Sequence, residues 1–193
     1  IIGAAPVLAS RIGYVGELGF ELHIPSEFAI HVYKELWQAG QEMEIANVGY
    51  RAIESLRMEK GYLYWSGDIS PDYSPLEAGL GFRVHFDLKG EFLGRQALES
   101  QMKNGLDRKL FTFISEQFLP LTGGETILES GRVVSLATSV AYGFTVKKTI
   151  IRGYLDRLYW GKTEFTVEVF GQRYPVKLAS SPVYDPKNLA LKG

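Results

Sequence analysis

Apolar and polar residues alternate near the start of the chain. In residues 12–24 this alternation predicts two short strands, and it is clearest in residues 20–24, which have the pattern of a strand with one buried face. The strands are interrupted at residues 16–19, where two glycines flank Glu17. Glycines in such a position indicate a turn in which the backbone comes close to another group.

A helical pattern comes next. Apolar residues recur at steps of four from Phe28, Ser26 stands where a helix N-cap is favoured, and Gly40 is a residue that ends helices. A second helix is predicted from an N-cap near Asn47 to about Lys60. We expect its inner face to be the apolar stripe of Ala52, Ile53 and Leu56.

The region after the second helix is rich in aromatic and turn residues. Residues 62–65 form an aromatic exit from the helix, and residues 68–75 have the composition of an ordered loop. A strand is predicted at residues 82–88, followed by a helix at about residues 94–103. This last helix is expected to place Ala97, Leu98 and Met102 inward.

From Arg108 onward the chain has the pattern of an all-β protein. Ser130-Gly131 and Phe170-Gly171 are predicted hairpin turns. Short strands at fairly regular spacing favour a small barrel or sandwich, and the predicted strands are residues 110–114, 126–129, 133–138, 150–155, 165–170 and 174–178. A boundary is therefore predicted near Asn104-Gly105. The pattern as a whole indicates an α+β half and an all-β half.

Composition narrows the possible functions. The 193 residues are 46% hydrophobic and 22% charged, as in an ordinary soluble globular protein, and the net charge of −1 argues against a nucleic-acid or acidic-membrane surface. The chain has no cysteine, which excludes disulfides, thiolate nucleophiles and cysteine metal sites, and its three histidines lack metal-ligand spacing. No apolar run is long enough to span a bilayer.

Glu17 is the first candidate for chemistry. An ionised carboxylate only accepts hydrogen bonds, so a carboxylate held between glycines can receive a paired-donor edge such as the amino-pyrimidinone of a pterin. The alternative is an ordinary solvated turn glutamate.

Arg57 and the aromatic residues after it are further candidates. Arg57 can pair with a ligand carboxylate, or it can form an intrahelical ion pair with Glu54. Trp65 and its neighbouring tyrosines can stack on a heterocycle, or they can simply pack in the protein. Glu77 is another carboxylate that is either buried or ligand-facing. Phosphate-loop, dinucleotide-binding, nucleophile-elbow and HExxH patterns are absent.

Four stretches resemble one known family. They are GYVGELGFE (residues 13–21), GYRAIESLRMEKG (49–61), SPLEAGL (74–80) and FLGRQAL (92–98), and the tail SPVYDP (181–186) looks like the family's carboxyl end. In this order they resemble the aminomethyltransferase family of the glycine-cleavage T-protein. The closest likeness is to the folate domain of sarcosine and dimethylglycine dehydrogenases.

The resemblance implies a fold and a reaction. The fold is the second half of a T-protein-like folate-binding α+β domain at residues 1–104, followed by a small antiparallel β-barrel at residues 105–193. The reaction is transfer of a one-carbon unit from an N-methyl amino acid or aminomethyl donor to tetrahydrofolate. Glu17 matches the glutamate that recognises the pterin, Arg57 matches an arginine of the family's helix, and Trp65 falls near an aromatic position that lines the pocket.

The resemblance also implies what lies outside this chain. The family's catalytic aspartate belongs to an amino-terminal portion, so we expect the chain to begin in mid-protein, to hold no catalytic residue and to be a poor catalyst alone. FAD is expected only in a separate upstream domain. The expected partners are folate, an amine substrate, and an upstream flavin domain or a lipoyl carrier protein, with no nucleic acid and no membrane. The expected location is the bacterial cytoplasm, which is favoured, or the mitochondrial matrix.

Two alternatives to this function remain open at the level of sequence. One is a non-catalytic regulatory or interaction module of the same fold, similar to the regulatory subunit of pyruvate dehydrogenase phosphatase. Retention of Glu17 favours the folate-binding interpretation over this one. The other is a folate-dependent demethylase that acts on a different methyl donor.

Overall fold

The computed structural model describes residues 1–87 and 90–192, and its first part combines helices with a small sheet. The sheet pairs β1 with β2 in antiparallel register, from Leu8 opposite His23 to Ser10 opposite Glu21. The elements of this part are β1 (Leu8–Ser10), β2 (Glu21–His23), α1 (Ala29–Ala39), α2 (Tyr50–Lys60) and α3 (Arg95–Asn104).

Only one of the two strands predicted in residues 12–24 is present. It is β2, and its partner β1 lies in the apolar start of the chain, where no strand was predicted. The stretch from residue 12 to residue 15 is a loop. There the Tyr14 hydroxyl donates to the Leu63 carbonyl at 2.6 Å, so this stretch contacts the exit of α2 and not a neighbouring strand.

Both predicted helices in residues 26–60 form, and Gly40 ends the first as predicted, but the two predicted N-caps are wrong. A short 3-10 helix at Ser26–Phe28 precedes α1, and the Ser26 side chain makes no capping hydrogen bond. The N-cap of α2 is Gly49, and the Asn47 amide donates to the Tyr33 hydroxyl at 2.9 Å. Helix α2 ends at Lys60 as predicted, and Gly61 follows it with a left-handed φ of 81°.

The buried residues of α2 are polar except for Met58, which corrects the predicted apolar stripe. Ser55 and Glu59 are buried, whereas Ala52 is exposed. The Ser55 hydroxyl donates to the Tyr142 carbonyl at 2.7 Å, and a Glu59 carboxylate oxygen accepts from the Thr145 backbone N–H at 2.7 Å. The helix covers the end of a strand and the following loop, whose backbone groups need hydrogen-bond partners, and polar side chains provide them.

Two other predictions for the first part are wrong. Residues 82–87 form no strand, because a short 3-10 helix, Gly81–Arg83, takes up the first two of them. Residue 88 of the predicted strand lies outside the described residues. Helix α3 lies where it was predicted, but it has no buried residue, and Met102 is 59% exposed. Within residues 1–87 and 90–192, no helix is both long and apolar enough to cross a bilayer.

The second part is one antiparallel sheet. Its strand order is β5-β4-β8-β9-β3-β7-β6. All six predicted strands are present, and β6 was missed. The strands are β3 (Arg108–Ser115), β4 (Thr126–Glu129), β5 (Arg132–Leu136), β6 (Ser139–Gly143), β7 (Lys148–Asp156), β8 (Phe165–Val169) and β9 (Gln172–Ala179).

The sheet curls into the small antiparallel barrel that was predicted. Its outermost strands, β5 and β6, are successive parts of one segment joined at Ala137 and Thr138. The Ala137 N–H donates to the Glu125 carbonyl and the Thr138 N–H donates to the Arg152 carbonyl, both at 2.8 Å. This segment therefore ties the two edges together. The core inside is apolar and includes Phe113, Ile127, Ile151, Leu155, Phe165, Val167 and Val176.

The two predicted hairpin turns are confirmed. Ser130 and Gly131 join β4 to β5 with φ of 50° and 79°, and Phe170 and Gly171 join β8 to β9 with φ of 49° and 77°. Positive φ at both central residues is the type I′ geometry that matches strand twist. Helix α3 ends at Asn104 and β3 begins at Arg108, and the domain boundary at residues 104 and 105 stays a prediction.

A buried ion pair joins α2 to the barrel. The Arg57 Nη1 donates to an Asp68 carboxylate oxygen at 2.6 Å, and the two side chains are 1% and 0% exposed. Asp68 also accepts from the Thr138 hydroxyl at 2.8 Å and from the Tyr64 N–H at 3.0 Å. The Arg57 Nη2 donates to the Ser139 hydroxyl at 2.9 Å. Helix, loop and barrel segment thus share one charged pair.

The Asp68→Asn variant should lower the free energy of unfolding by about 3–5 kcal/mol, because Arg57 loses its buried anionic partner and keeps only the partly exposed Glu54. The measurement is denaturant unfolding followed by circular dichroism. Asp156→Asn makes the same chemical change at an exposed strand end and should shift stability by no more than about 0.5 kcal/mol. Equal losses in the two variants would contradict the structural role of the pair.

Candidate functional site

A large cleft runs between the first part and the barrel. Its volume is 780 Å³, within the range of about 300–1,000 Å³ that is usual for small-molecule sites. The walls come from the loop at residues 13 and 14, the exit of α2, residues 78–83, strands β3 and β7, and the tail after β9. Distant parts of the sequence therefore meet there.

The cleft is aromatic on one wall. The rings of Tyr14 and Tyr62 stack with centroids 5.9 Å apart and planes 14° from parallel. Burial raises the pKa of the Tyr14 hydroxyl above its ordinary value. Phe82 and Phe111 line other parts of the cleft. These flat surfaces suit a ring system.

The charged side chains of the cleft are all cations. They are Lys60, Arg83, Lys109 and Arg152, and no Asp or Glu is among the lining residues that the structure describes. Lys60 is neutralised by Asp185, whose carboxylate lies 2.8 Å from the Lys60 Nζ. Arg152 is 3% exposed. The cleft therefore favours an anionic occupant.

Glu17 lies beside this cleft. It borders a smaller recess of 310 Å³, and Gly13 lines both cavities. A Glu17 carboxylate oxygen accepts from the Tyr184 hydroxyl at 2.8 Å, which raises the pKa of Tyr184. Gly16 has a φ of 81°, and a Cβ there would lie 2.8 Å from the Lys60 side chain, so the loop can pack on Lys60 only with glycine at this position.

The carboxyl-terminal tail holds the Glu17 loop in place. The Leu18 N–H donates to the Ala190 carbonyl at 3.1 Å, and the Tyr184 N–H donates to the Glu59 carbonyl at 3.0 Å. Asp185 binds Lys60 and accepts from the Leu189 N–H at 2.8 Å. Sequence reasoning missed Tyr184, Lys60 and Asp185 as site residues, although residues 181–186 resemble the family's carboxyl end.

Arg57 lies in a different recess. This cavity of 460 Å³ is also lined by Tyr50, Glu54 and Tyr64. The intrahelical pair with Glu54 is present, in addition to the pair with Asp68. Burial alone would lower the pKa of Arg57, but the Glu54 hydrogen bond and the attraction of Asp68 raise it above its ordinary value. A role of Arg57 in folate binding stays a prediction.

Trp65 and Glu77 have different surroundings. The Trp65 side chain is 63% exposed and does not line the main cleft, so the structure does not place Glu17, Arg57 and Trp65 in one cavity. Glu77 is buried, and it accepts from the Ser74 N–H at 2.7 Å and from the Arg108 Nε at 3.0 Å. In the part of the chain that the structure describes, no cluster of His, Asp or Glu could hold a metal ion.

Comparison with protein families gives two matches. The model of the GCVT N-terminal domain matches residues 1–88. The model of the glycine cleavage T-protein C-terminal barrel domain matches residues 108–185.

Individual relatives agree with these models. Sarcosine dehydrogenase, mitochondrial, of Mus musculus is 40% identical over 195 residues, which cover 97% of this chain and 21% of that protein. Aminomethyltransferase of Halothermothrix orenii is 39% identical over 152 residues, 78% of this chain and 42% of that protein. The crystal structure of aminomethyltransferase T from Bartonella henselae superposes with a TM-score of 0.82 at 26% identity, covering 91% of this chain and 49% of that one.

An α+β part with a cleft against a curled antiparallel barrel, together with these matches, defines an aminomethyltransferase-type protein. The matched ranges take in most of the chain. It belongs to the glycine cleavage T-protein family, which confirms the predicted family and fold class. The chain spans about a fifth of the mouse sarcosine dehydrogenase and about half of the Bartonella henselae chain.

The attachment of the tail should depend on pH in the acid range. The Lys60 hydrogen bond holds the pKa of Asp185 below its ordinary value, so this pair contributes stability above the unfolded pKa of about 3.9. That contribution is lost as the pH falls through the lower folded value. Asp185→Asn should therefore melt below the wild type at pH 5–7, with the gap closing below about pH 3.

Differential scanning calorimetry across this pH range measures the gap. Asp156→Asn, at an exposed position, serves as the matched control for the loss of one carboxylate charge. A gap that persists undiminished in acid would mean that the Asp185 charge is not what stabilises the tail.

Proposed function

We propose that this chain is the tetrahydrofolate-binding part of an aminomethyltransferase-type protein. The protein transfers a one-carbon unit from an N-methyl amino acid or aminomethyl donor to tetrahydrofolate, as part of a sarcosine dehydrogenase-like enzyme. The observation that carries this proposal is the 780 Å³ cleft, whose described lining combines aromatic walls with cations and lacks carboxylates, next to the Glu17 loop.

The chemistry of tetrahydrofolate fits these residues. Its pterin end presents a donor edge, its middle carries an aromatic ring, and its glutamate end carries carboxylates. The Tyr14 and Tyr62 rings offer stacking surfaces for the ring system. Cationic side chains suit the glutamate end, and a carboxylate suits the donor edge. The three kinds of protein group thus correspond to the three parts of the ligand.

Glu17 is the proposed pterin anchor. A carboxylate has about four lone-pair positions, so the hydrogen bond from Tyr184 leaves room for the paired N–H groups of a pterin edge. The same bond restricts the carboxylate, since Tyr184 belongs to a tail that is tied to Lys60 through Asp185. An anchor fixed before the ligand arrives loses less entropy on binding.

Arg57 and Trp65 are proposed to support folate binding indirectly or at its margin. The Arg57 Nη1 donates to the Tyr62 carbonyl at 3.1 Å, so Arg57 supports the aromatic wall of the cleft from behind. Its acid partners leave it little capacity to bind a ligand carboxylate directly. Trp65 presents exposed aromatic surface for contact with a ligand or with another part of the protein.

These assignments give this chain and the upstream portion different roles in the enzyme. This chain binds and orients tetrahydrofolate through residues 1–104 and supports it with the barrel at residues 105–193. The general base, an aspartate in the family, belongs to an upstream portion, as does any FAD. The partners are an amine substrate and an upstream flavin domain or a lipoyl carrier protein. The compartment is the bacterial cytoplasm or the mitochondrial matrix, with the cytoplasm favoured.

Calorimetric titration with 5-formyltetrahydrofolate tests the proposal. The wild-type chain should bind, and Glu17→Gln should weaken binding about tenfold or more, since a hydrogen bond to a charged group contributes about 1.5–3 kcal/mol. The melting temperature should not change, because Glu17 is exposed and the amide oxygen of glutamine can still accept from the Tyr184 hydroxyl. Glu21→Gln, an equivalent change at an exposed position four residues away, should leave affinity unaltered.

The outcomes separate the possible functions. Binding that depends on Glu17 and not on Glu21 supports the folate-binding enzyme. Binding that is indifferent to Glu17 would remove the pterin-anchor role. A folded wild-type chain that does not bind 5-formyltetrahydrofolate would favour a non-catalytic regulatory module of the same fold.

A further inference from the structure

Arg152 is buried without a carboxylate partner in direct contact. It lies on β7, lines the main cleft and is 3% exposed. Among the described residues its side chain makes one hydrogen bond, from Nη2 to the Ser181 hydroxyl at 3.2 Å, and its buried Nε has no partner. The Nε of Arg57 also has no partner, but the two terminal nitrogens of Arg57 contact two carboxylates, a hydroxyl and a carbonyl.

This arrangement is costly in the absence of a ligand. A guanidinium has five N–H donors, and burying it without partners carries a desolvation penalty of several kcal/mol. Burial lowers the pKa of Arg152, an effect that the attraction of Asp68 opposes and the repulsion of Arg57 reinforces. An anionic group in the cleft would supply both the charge and the acceptors that the protein does not.

We propose that Arg152 binds a carboxylate of the ligand in the main cleft and so determines the preference of this site for ligands with a glutamate end. The inference rests on the proposed folate function. A guanidinium matches a carboxylate better than other cations do, because its planar N–H groups can donate to both oxygens at once. Lys109 and Arg83, which are exposed at the cleft, add attraction without fixing geometry.

The positions of the Glu17 carboxylate and the Arg152 guanidinium would also orient the ligand. Glu17 accepts hydrogen bonds at the neighbouring recess, whereas Arg152 donates them in the main cleft. A ligand with a donor edge at one end and carboxylates at the other has one favourable direction between them. The reversed direction would set carboxylate against carboxylate, which is repulsive.

A pair of ligand fragments tests Arg152 independently of the pterin. One is p-aminobenzoylglutamate, which has both carboxylates and no pterin, and the other is its neutral diamide. The wild-type chain should bind the diacid about tenfold or more tightly than the diamide. Arg152→Met should remove this preference, and Arg152→Lys should retain part of it. Glu21→Gln, the exposed control, should leave it unchanged.

The readout is the ratio of the two affinities, which a change in overall stability alone does not alter. Circular dichroism and melting temperature establish that each variant is folded. If Arg152→Met does not fold, Arg152→Lys still tests the inference, because loss of bidentate geometry should reduce the ratio. Titration of the same variants with 5-formyltetrahydrofolate completes the set.

The results test the role of Arg152 and the proposed folate function separately. A preference for the diacid that survives in Arg152→Met overturns the role of Arg152, even if 5-formyltetrahydrofolate binds and the proposed function holds. An Arg152-dependent preference without binding of 5-formyltetrahydrofolate supports a carboxylate site and overturns the folate proposal. Failure of the wild-type chain to bind any of the three ligands overturns both.

Discussion

The buried pair of Arg57 and Asp68 is the interaction on which the rest of the structure depends. It fixes the last turn of α2 against the segment that closes the barrel, since Asp68 also accepts from Thr138. The end of α2 is therefore fixed in position, and with it the side chain of Lys60 and the aromatic residues that follow the helix, beginning with Tyr62. Lys60 and Tyr62 line the cleft, and Lys60 binds the tail through Asp185. Loss of the Arg57–Asp68 pair would therefore disturb the cleft as well as the helix.

Two buried arginines near Asp68 show how partners separate a structural role from a binding role. The pKa of Arg57 is raised because hydrogen-bonded acids more than offset its burial, whereas the pKa of Arg152 is lowered because burial dominates. The fold fills both terminal nitrogens of Arg57, and among the described residues only its buried Nε has no partner. The second keeps donors unfilled beside a cavity, which is the condition for recognising an anion.

Local chemistry made part of the fold predictable from the sequence. The turn at Ser130-Gly131 was foreseen because two adjacent residues determine it, and the family was recognised from four short stretches. Strand β6 and the polar inner face of α2 were not foreseen, because each depends on a partner far along the chain. The same distinction holds for the site. Glu17 was predicted from the glycines next to it in the sequence, whereas the Lys60–Asp185 pair was not predicted because it joins residues 125 positions apart.

This long-range construction has a consequence for ligand binding. The cleft is assembled from the Tyr14 loop, the end of α2, strand β7 and the tail, and polar contacts such as Lys60–Asp185 and Arg152–Ser181 connect these pieces. A ligand that bridges Glu17 and Arg152 would add a further connection between the same pieces. Since a ligand that binds only the folded state stabilises it, occupancy should strengthen the attachment of the tail as well as fill the cleft. Recognition and folding of this site would then be coupled through the same few charges.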